Sequence, residues 1–266
     1  MIVSKRLWEI GQYEAAAEQY EDIGMYEEAV DCLLDGGKFE RAKGCVNQIR
    51  DPSLVNHLNA KILQAQKGVA ARNEDAQGMI GLGEVERGIA LLIEQGNWGK
   101  ALEVASQQAP QALTKYLMRY AKETMESGRF GEAIAGFAQY GFPNDPKFYP
   151  AYKTLTLEIF AECDPKETRD LRKALYDLVS QLEEHGEANT PHGREFTKYL
   201  VAAHLVNLKP NLDKKGLERL STNLAVSLLR YSDLVRIDKC YYDAGMAARK
   251  QVRLLEFLND INIFLL

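Results

Sequence analysis

The chain has 266 residues and a formal net charge of −5, with 46% hydrophobic and 27% charged residues. These values are ordinary for a globular protein, and the acidic balance argues against a general binder of nucleic acid or of anionic membranes. No apolar run approaches the roughly 20 residues that a membrane-spanning helix needs. No secretory signal is visible either, because no apolar segment follows the basic start of the chain.

A short motif recurs five times, beginning near the start of the chain: a glycine, any residue, an aromatic residue, two residues and an alanine. Glycine is suited to ending a helix, because it adopts the left-handed backbone conformation without steric cost. The aromatic residue opens the next helix, and we expect its ring to fill the wedge between the two helices. The glycine and aromatic pairs are Gly11 and Tyr13, Gly24 and Tyr26, Gly37 and Phe39, Gly96 and Trp98, and Gly128 and Phe130.

The spacing of the copies predicts the fold class. The first three glycines are 13 residues apart, which leaves room for one short helix and a tight turn. The last two are 32 residues apart, close to the roughly 34-residue tetratricopeptide period. We therefore predict an all-α, right-handed superhelical α-solenoid of tetratricopeptide-like helix pairs, with a divergent C-terminal half of longer helices.

Taken in chain order, the sequence predicts four regions. Residues 1–72 should form short-helix repeats, and residues 73–82 a weakly patterned connector, either a loop or an irregular helix. Residues 83–145 should form tetratricopeptide-like repeats, and residues 146–266 a divergent helical array. Within that array, one helix is predicted to run from Pro191 to Asn207.

Apolar residues at both chain ends are unusual for a solenoid, which needs polar caps. Leu7 and Trp8 lie near the start, and residues 254–266 are rich in leucine, isoleucine and phenylalanine. We therefore expect the native chain to continue beyond both ends, with folding of the C-terminal helix back into the array as the alternative.

No pattern typical of catalysis, cofactor binding or metal ligation is found. The histidines, at positions 57, 185, 192 and 204, include no pair one helical turn apart. The cysteines, at positions 32, 45, 163 and 240, form no CxxC motif, and we expect them to be small buried hydrophobic residues. The glycines of residues 81–88 lack the spacing of a nucleotide-binding loop. We predict no enzyme and no cofactor.

Basic residues supply the candidate binding site. Lys115, Arg119 and Lys122 fall on one face of a predicted helix, and we rank this stripe first for contact with an acidic partner segment because it lies within a recognisable repeat. Ordinary solvated helix faces are the alternative interpretation. Two further basic groups are Lys166, Arg169, Arg172 and Lys173, and Lys209, Lys214, Lys215 and Arg219.

Four stretches carry a resemblance to a known family. They are residues 93–98 (IEQGNW), 139–143 (QYGFP), 224–230 (LAVSLLR) and 235–248 (VRIDKCYYDAGMAA). Over most of residues 80–266 the chain resembles the C-terminal, tetratricopeptide-like region of the largest subunits of the intraflagellar transport B complex. Those subunits carry WD40 propellers ahead of a long solenoid, and the propellers are absent from this chain.

The resemblance implies a non-enzymatic scaffold of the transport train that is required for cilium assembly. It implies a bridging arm between the B and A complexes, with other transport subunits as partners and the A complex favoured. The implied location is the cilium or flagellum, the ciliary base and the cytoplasm, with no nucleic acid and no direct membrane insertion. A vesicle-coat or tethering-complex α-solenoid is the alternative binding protein, and a helical enzyme or ubiquitin-ligase module is the alternative of another class.

The motif also predicts a stability effect. If the ring of Trp98 is buried, replacing it with alanine should cost roughly 3–5 kcal/mol, because a large apolar side chain leaves a cavity behind. Thermal unfolding of Trp98→Ala measures the loss, and an unchanged midpoint would contradict the register assigned to the repeat.

Overall fold

A computed structural model describes residues 2–236, 238, 241–250 and 252 of the chain. Over these residues the chain is mostly helical, contains no strand, and packs consecutive helices against each other. The predicted all-α solenoid class is therefore confirmed, while the handedness of a superhelix stays a prediction. Residue contacts divide the chain after Gln111 into two compact units.

The first unit consists mainly of short helices, each packed on its neighbour in sequence. One of its cores is built around Ala17, Tyr20, Leu33, Val46 and Leu58, all buried. The helices are α1 (Ile2–Glu9), α2 (Tyr13–Asp22), α3 (Tyr26–Asp35), α4 (Phe39–Val46), α5 (Pro52–Arg72), α6 (Ala76–Gly81), α7 (Val85–Glu94) and α8 (Trp98–Gln108).

The second unit has longer helices, as the sequence predicts for the C-terminal half. Phe137, Phe142 and Tyr152 form its main aromatic cluster, with ring centroids 4.2–5.5 Å apart. The residues at 241–250 are also helical. Up to residue 231 its elements are the helices α9 (Pro110–Glu126), α10 (Phe130–Tyr140), α11 (Tyr149–Glu162), α12 (Pro165–Glu184), α13 (Pro191–Lys214) and α14 (Glu218–Leu228), with 3-10 turns at Pro146–Phe148 and Leu229–Tyr231.

All five motif glycines adopt the same left-handed turn, with φ between 68° and 81°. At Gly96, the N–H of the next residue, Asn97, donates to the carbonyl of Leu92 at 2.8 Å, which closes the Schellman arrangement that ends α7. The carbonyl of Asn97 then accepts from the N–H of Ala101 at 3.1 Å, which is the first hydrogen bond of α8. One residue therefore ends one helix and begins the next.

The alanines of the motif, rather than its aromatic residues, occupy the most buried positions. The five alanines have 0% relative exposure: Ala16, Ala29, Ala42, Ala101 and Ala133. The aromatic residues are only half-buried: Tyr13, Tyr26, Phe39, Trp98 and Phe130. A side chain as small as alanine suits the closest approach of two helices. Tyr26 and Phe39 pack against the core of the first unit, and the expectation that each ring fills the wedge between two helices stays a prediction. The buried Trp98 assumed in the sequence estimate is not observed.

Further copies of the turn escaped the sequence pattern, among them those at Gly83 and Gly216. These two glycines have φ of 82° and 67° and the same paired backbone hydrogen bonds. After Gly83, a valine takes the aromatic position and Gly88 the alanine position. A Cβ on Gly88 would lie 2.5 Å from the side chain of Ile80, so this glycine permits close helix packing. Of the glycines in residues 81–88, Gly81 ends α6, Gly83 forms the turn and Gly88 lies within α7.

The weakly patterned stretch contains a short helix, and one helix extends further than the sequence predicts. Helix α5 continues through Gly68 to Arg72, and the following weakly patterned stretch contains the short helix α6. Helix α13 passes the predicted end at Asn207 and continues through Pro210 to Lys214. Proline removes one N–H from the helix, and a side chain supplies a nearby hydrogen bond: the amide of Asn211 donates to the carbonyl of Asn207 at 3.2 Å.

Other sequence predictions remain open. The assignment of repeat types to residues 1–72, 83–145 and 146–266, with a connector at 73–82, stays a prediction. The apolar stretch at 254–266 and Cys240 lie outside the described residues.

The turn geometry predicts opposite effects for two neighbouring glycines. Gly96→Ala should destabilise the chain by about 1–2 kcal/mol, because an L-residue is strained at φ 74° even though no atom obstructs the new Cβ. Gly99→Ala is the matched control, since Gly99 is exposed within α8 and has open space around it. Alanine there should stabilise by up to about 1 kcal/mol. Urea unfolding of both variants measures the difference, and a loss of similar size at the two positions would contradict the turn assignment.

Candidate functional site

The predicted basic stripe lies on the surface of α9. Lys115, Arg119 and Lys122 are all exposed, and Lys122 lies 3.8 Å from Glu126 in an exposed ion pair. The Lys115 ammonium lies 5.7 Å from the ring centroid of Tyr116. These contacts are compatible with a partner surface and with a solvated helix face, so the role of the stripe stays a prediction.

A second basic surface is concave. A cavity of about 400 Å³ opens among α12, α13, α14 and the chain that follows α14, and we call it the basic cavity. Its lining carries five lysine and arginine side chains and a single carboxylate among the described residues, that of Asp243. The five cationic residues are Arg169, Arg172, Lys209, Lys214 and Arg236.

The cavity unites parts of two basic groups that are far apart in sequence. Helices α12 and α13 are consecutive and pack on each other, and the side-chain amide of Asn207 donates to the carbonyl of Thr168 at 2.9 Å. Residues of α12 and α13 that are equally far along the chain from the connecting turn therefore lie side by side. The sequence pattern identified these residues but ranked them below the α9 stripe, and it missed Arg236. Four members of the two groups, all exposed, do not line the cavity: Lys166, Lys173, Lys215 and Arg219.

Asn207 links α12 to α13 beside the basic cavity. Besides its bond to Thr168, its amide donates to the carbonyl of Ala203 in its own helix at 2.8 Å. Thr168 is fully buried, and its hydroxyl donates to the carbonyl of Asp164 at 2.6 Å. This arrangement fixes the two helices side by side at the cavity.

Acidic residues offset the charge of only part of the cavity. Lys209 lies 3.4 Å from Asp213 and 3.5 Å from Asp243. A hydrogen bond from Ser221, together with the charge of Lys209, lowers the pKa of Asp213. Arg236 pairs with Asp238 at 2.9 Å, which raises the pKa of the guanidinium. The Nε atom of Arg172 is buried and has no hydrogen-bond partner within the described part of the chain.

A groove in the first unit differs from the basic cavity in its charge balance. It has a volume of about 510 Å³ and is lined by two acidic and two basic side chains. Lys61 pairs with Asp31 at 2.5 Å, and the indole N–H of Trp8 donates to Asp35 at 3.0 Å. Since its charged groups find partners within the groove, it attracts ions of neither sign.

The groups that could support catalysis are dispersed. Over the residues that the structure describes, no three histidine, cysteine, aspartate or glutamate side chains form a metal-binding group. Burial raises the pKa of Cys32 and of Cys45 to about 11, which keeps both thiols protonated and unreactive at neutral pH. Within the same described part of the chain, no helix combines the length and the apolar character needed to cross a membrane.

Repeated helix turns and helices packed on their neighbours define a helical-repeat protein, a class in which the stacked helices create extended surfaces. Sequence similarity to known proteins indicates which helical-repeat proteins are related to this chain. The chain is 30% identical over 256 residues to the intraflagellar transport protein 172 homolog of Homo sapiens, and the match covers 94% of this chain. It is 26% identical over 254 residues, 92% of this chain, to intraflagellar transport protein 172 of Chlamydomonas reinhardtii.

A third relative is intraflagellar transport protein osm-1 of Caenorhabditis elegans, which is 30% identical over 174 residues and matches 62% of this chain. The chain spans 14% of the length of the human and algal relatives and 10% of the nematode one. No protein-family model matches it. The chain is homologous to a C-terminal, tetratricopeptide-like region of the intraflagellar transport 172 proteins, which confirms the resemblance found in the sequence.

The link between α12 and α13 predicts a stability difference between two asparagines. Asn207→Ala should cost about 1 kcal/mol, because it removes a half-buried hydrogen bond between helices. Asn211→Ala is the matched control, since the Asn211 amide is exposed and donates to a carbonyl of its own helix, and its effect should stay within about 0.5 kcal/mol. Chemical unfolding of the two variants checks the prediction, which fails if Asn211→Ala costs as much as Asn207→Ala.

Proposed function

We propose that the chain is part of a non-enzymatic scaffold of the intraflagellar transport train and acts in cilium assembly. The observation that carries this proposal is the match to the human relative over 94% of the chain. Because the match spans both compact units, the likeness is not confined to the common glycine-aromatic-alanine repeat. The proposed location is the cilium or flagellum, including its base, with passage through the cytoplasm.

The proposed mechanism is bridging by surface contacts. A solenoid offers its neighbours long, rigid faces on which extended partner segments can lie. The role we assign to the chain is an arm that links the B complex to the A complex, with other transport subunits as its partners. Such an arm needs complementary surfaces and no reacting groups.

The α9 stripe is the surface we assign to the A complex. Its three cations project from one exposed helix face, and they are suited to an acidic segment of the partner. Exposed charges of this kind accelerate encounter and set register more than they increase affinity. The contact should therefore weaken as salt screens the charges.

A pull-down of purified A and B complexes by the 266-residue chain tests this assignment at low and high salt. The chain should capture the A complex in a salt-sensitive manner. Reversing Lys115, Arg119 and Lys122 to glutamate should abolish the capture, because the partner's acidic segment would then be repelled.

A second triple variant controls for net charge. Lys166, Lys173 and Lys215 are exposed and lie outside both the stripe and the basic cavity, so their reversal to glutamate makes the same charge change elsewhere. Capture should survive in this variant. Capture that survives stripe reversal would remove the stripe from the interface. Failure to capture either complex would contradict the transport role and favour a vesicle-coat or tethering solenoid.

A further inference from the structure

We propose that the basic cavity binds a phosphorylated serine or threonine side chain on a segment of a partner protein. The inference goes beyond the proposed function, since the cavity is separate from the α9 stripe and its test needs no transport complex.

The charge of the cavity favours a doubly charged ligand. Five cationic side chains and one carboxylate line about 400 Å³ in a chain whose overall charge is negative. Asp213 and Asp238 each pair with one lining cation from outside the cavity lining, and Arg169, Arg172 and Lys214 still carry charge toward the same space. A phosphate monoester brings about −1.5 to −2 at neutral pH, which offsets this excess better than one carboxylate does.

Arg172 gives the cavity an unused hydrogen-bond donor. Its Nε atom is shielded from solvent and meets no acceptor among the residues that the structure describes, although buried polar groups are nearly always paired. A guanidinium donates through a planar fork that matches two oxygens of a phosphate group. An oxygen at this position would supply the missing acceptor.

The other cations are placed at different depths. Lys209 has only 23% of its side chain exposed and is held between Asp213 and Asp243. Arg169 and Lys214 are exposed and lie on either side, on α12 and α13. This arrangement provides a half-buried floor for the anion and an exposed rim that attracts it from solvent.

The lining also favours a protein segment over free phosphate. Apolar side chains of Val206, Leu208, Leu228 and Val235 share the cavity with the cations. The volume exceeds what a phosphate group alone would fill, and the apolar part can take the methylene or methyl group of the modified residue and a neighbouring side chain. Arginine clusters recognise phosphorylated segments in this way in other proteins.

Fluorescence anisotropy with three labelled peptides tests the ligand class. The peptides share one sequence of glycine, alanine and serine and differ at the centre, which is phosphoserine, glutamate or serine. The chain should bind the phosphopeptide about tenfold more tightly than the glutamate peptide, and inorganic phosphate should compete only weakly. Equal binding of the phosphopeptide and the glutamate peptide would overturn the assignment to phosphate. Equal displacement by inorganic phosphate and by unlabelled phosphopeptide would overturn the assignment to a protein segment.

Two double variants locate the site. Arg169→Gln with Lys214→Gln removes two charges from the rim, and Lys166→Gln with Lys215→Gln removes two charges from adjacent exposed positions that do not line the cavity. The first pair should weaken phosphopeptide binding about tenfold, and the control pair less than about twofold. Equal weakening by both pairs would mean general charge attraction and would overturn the site.

Arg172→Lys provides a second, independent measurement. It keeps the positive charge but removes the fork and its Nε donor, so phosphopeptide affinity should fall while circular dichroism stays unchanged. Undiminished affinity in this variant would remove Arg172 from the site. Because the rim residues are exposed, the rim variant should fold even if the substitution at the half-buried Arg172 does not.

Discussion

The structure depends on a turn in which the residue after a left-handed glycine serves two helices at once. Its N–H satisfies a carbonyl of the helix before it, and its carbonyl accepts the first hydrogen bond of the helix after it. Because one residue bonds to both helices, the connection is short and the axes of the two helices cross closely. The fully buried alanine one turn into the second helix makes such a crossing feasible. Helix pairing thus follows from backbone hydrogen bonds and from one small side chain.

The sequence predicted helix starts correctly where the full motif is present. It missed turns in which other residues replace the aromatic residue and the alanine. Helices α2 and α10 begin at Tyr13 and Phe130, the aromatic residues that the motif predicts as helix starts. The turn at Gly83 escaped detection since valine and glycine replace the aromatic residue and alanine. The sequence predicted the end of α13 too early, because Pro210 and the polar residues around it are typical of a helix end. Contacts with α12 and α14 instead stabilise the helix beyond this point.

The α9 stripe and the basic cavity differ in how well the sequence alone could predict them. The α9 stripe was visible because its members share one helix face, and the structure confirms only their exposure. The basic cavity was not predicted, since it needs three helices and a later residue to meet, and a distance between helices cannot be read from spacing along one of them. The sequence did not predict that α12 and α13 pack antiparallel with Thr168 beside Asn207, and this contact brings the basic residues of the two helices together.

The shared turn residue also bears on how such a chain can change during evolution. Exposed loops usually accept inserted or deleted residues. In these turns, one added residue would separate the end of one helix from the start of the next, and the orphaned N–H and carbonyl groups would need new partners. Changes in length should therefore accumulate in the longer connection at 185–190, which joins α12 to α13. Related chains should keep the three-residue glycine turns constant in length while the residues on either side diverge.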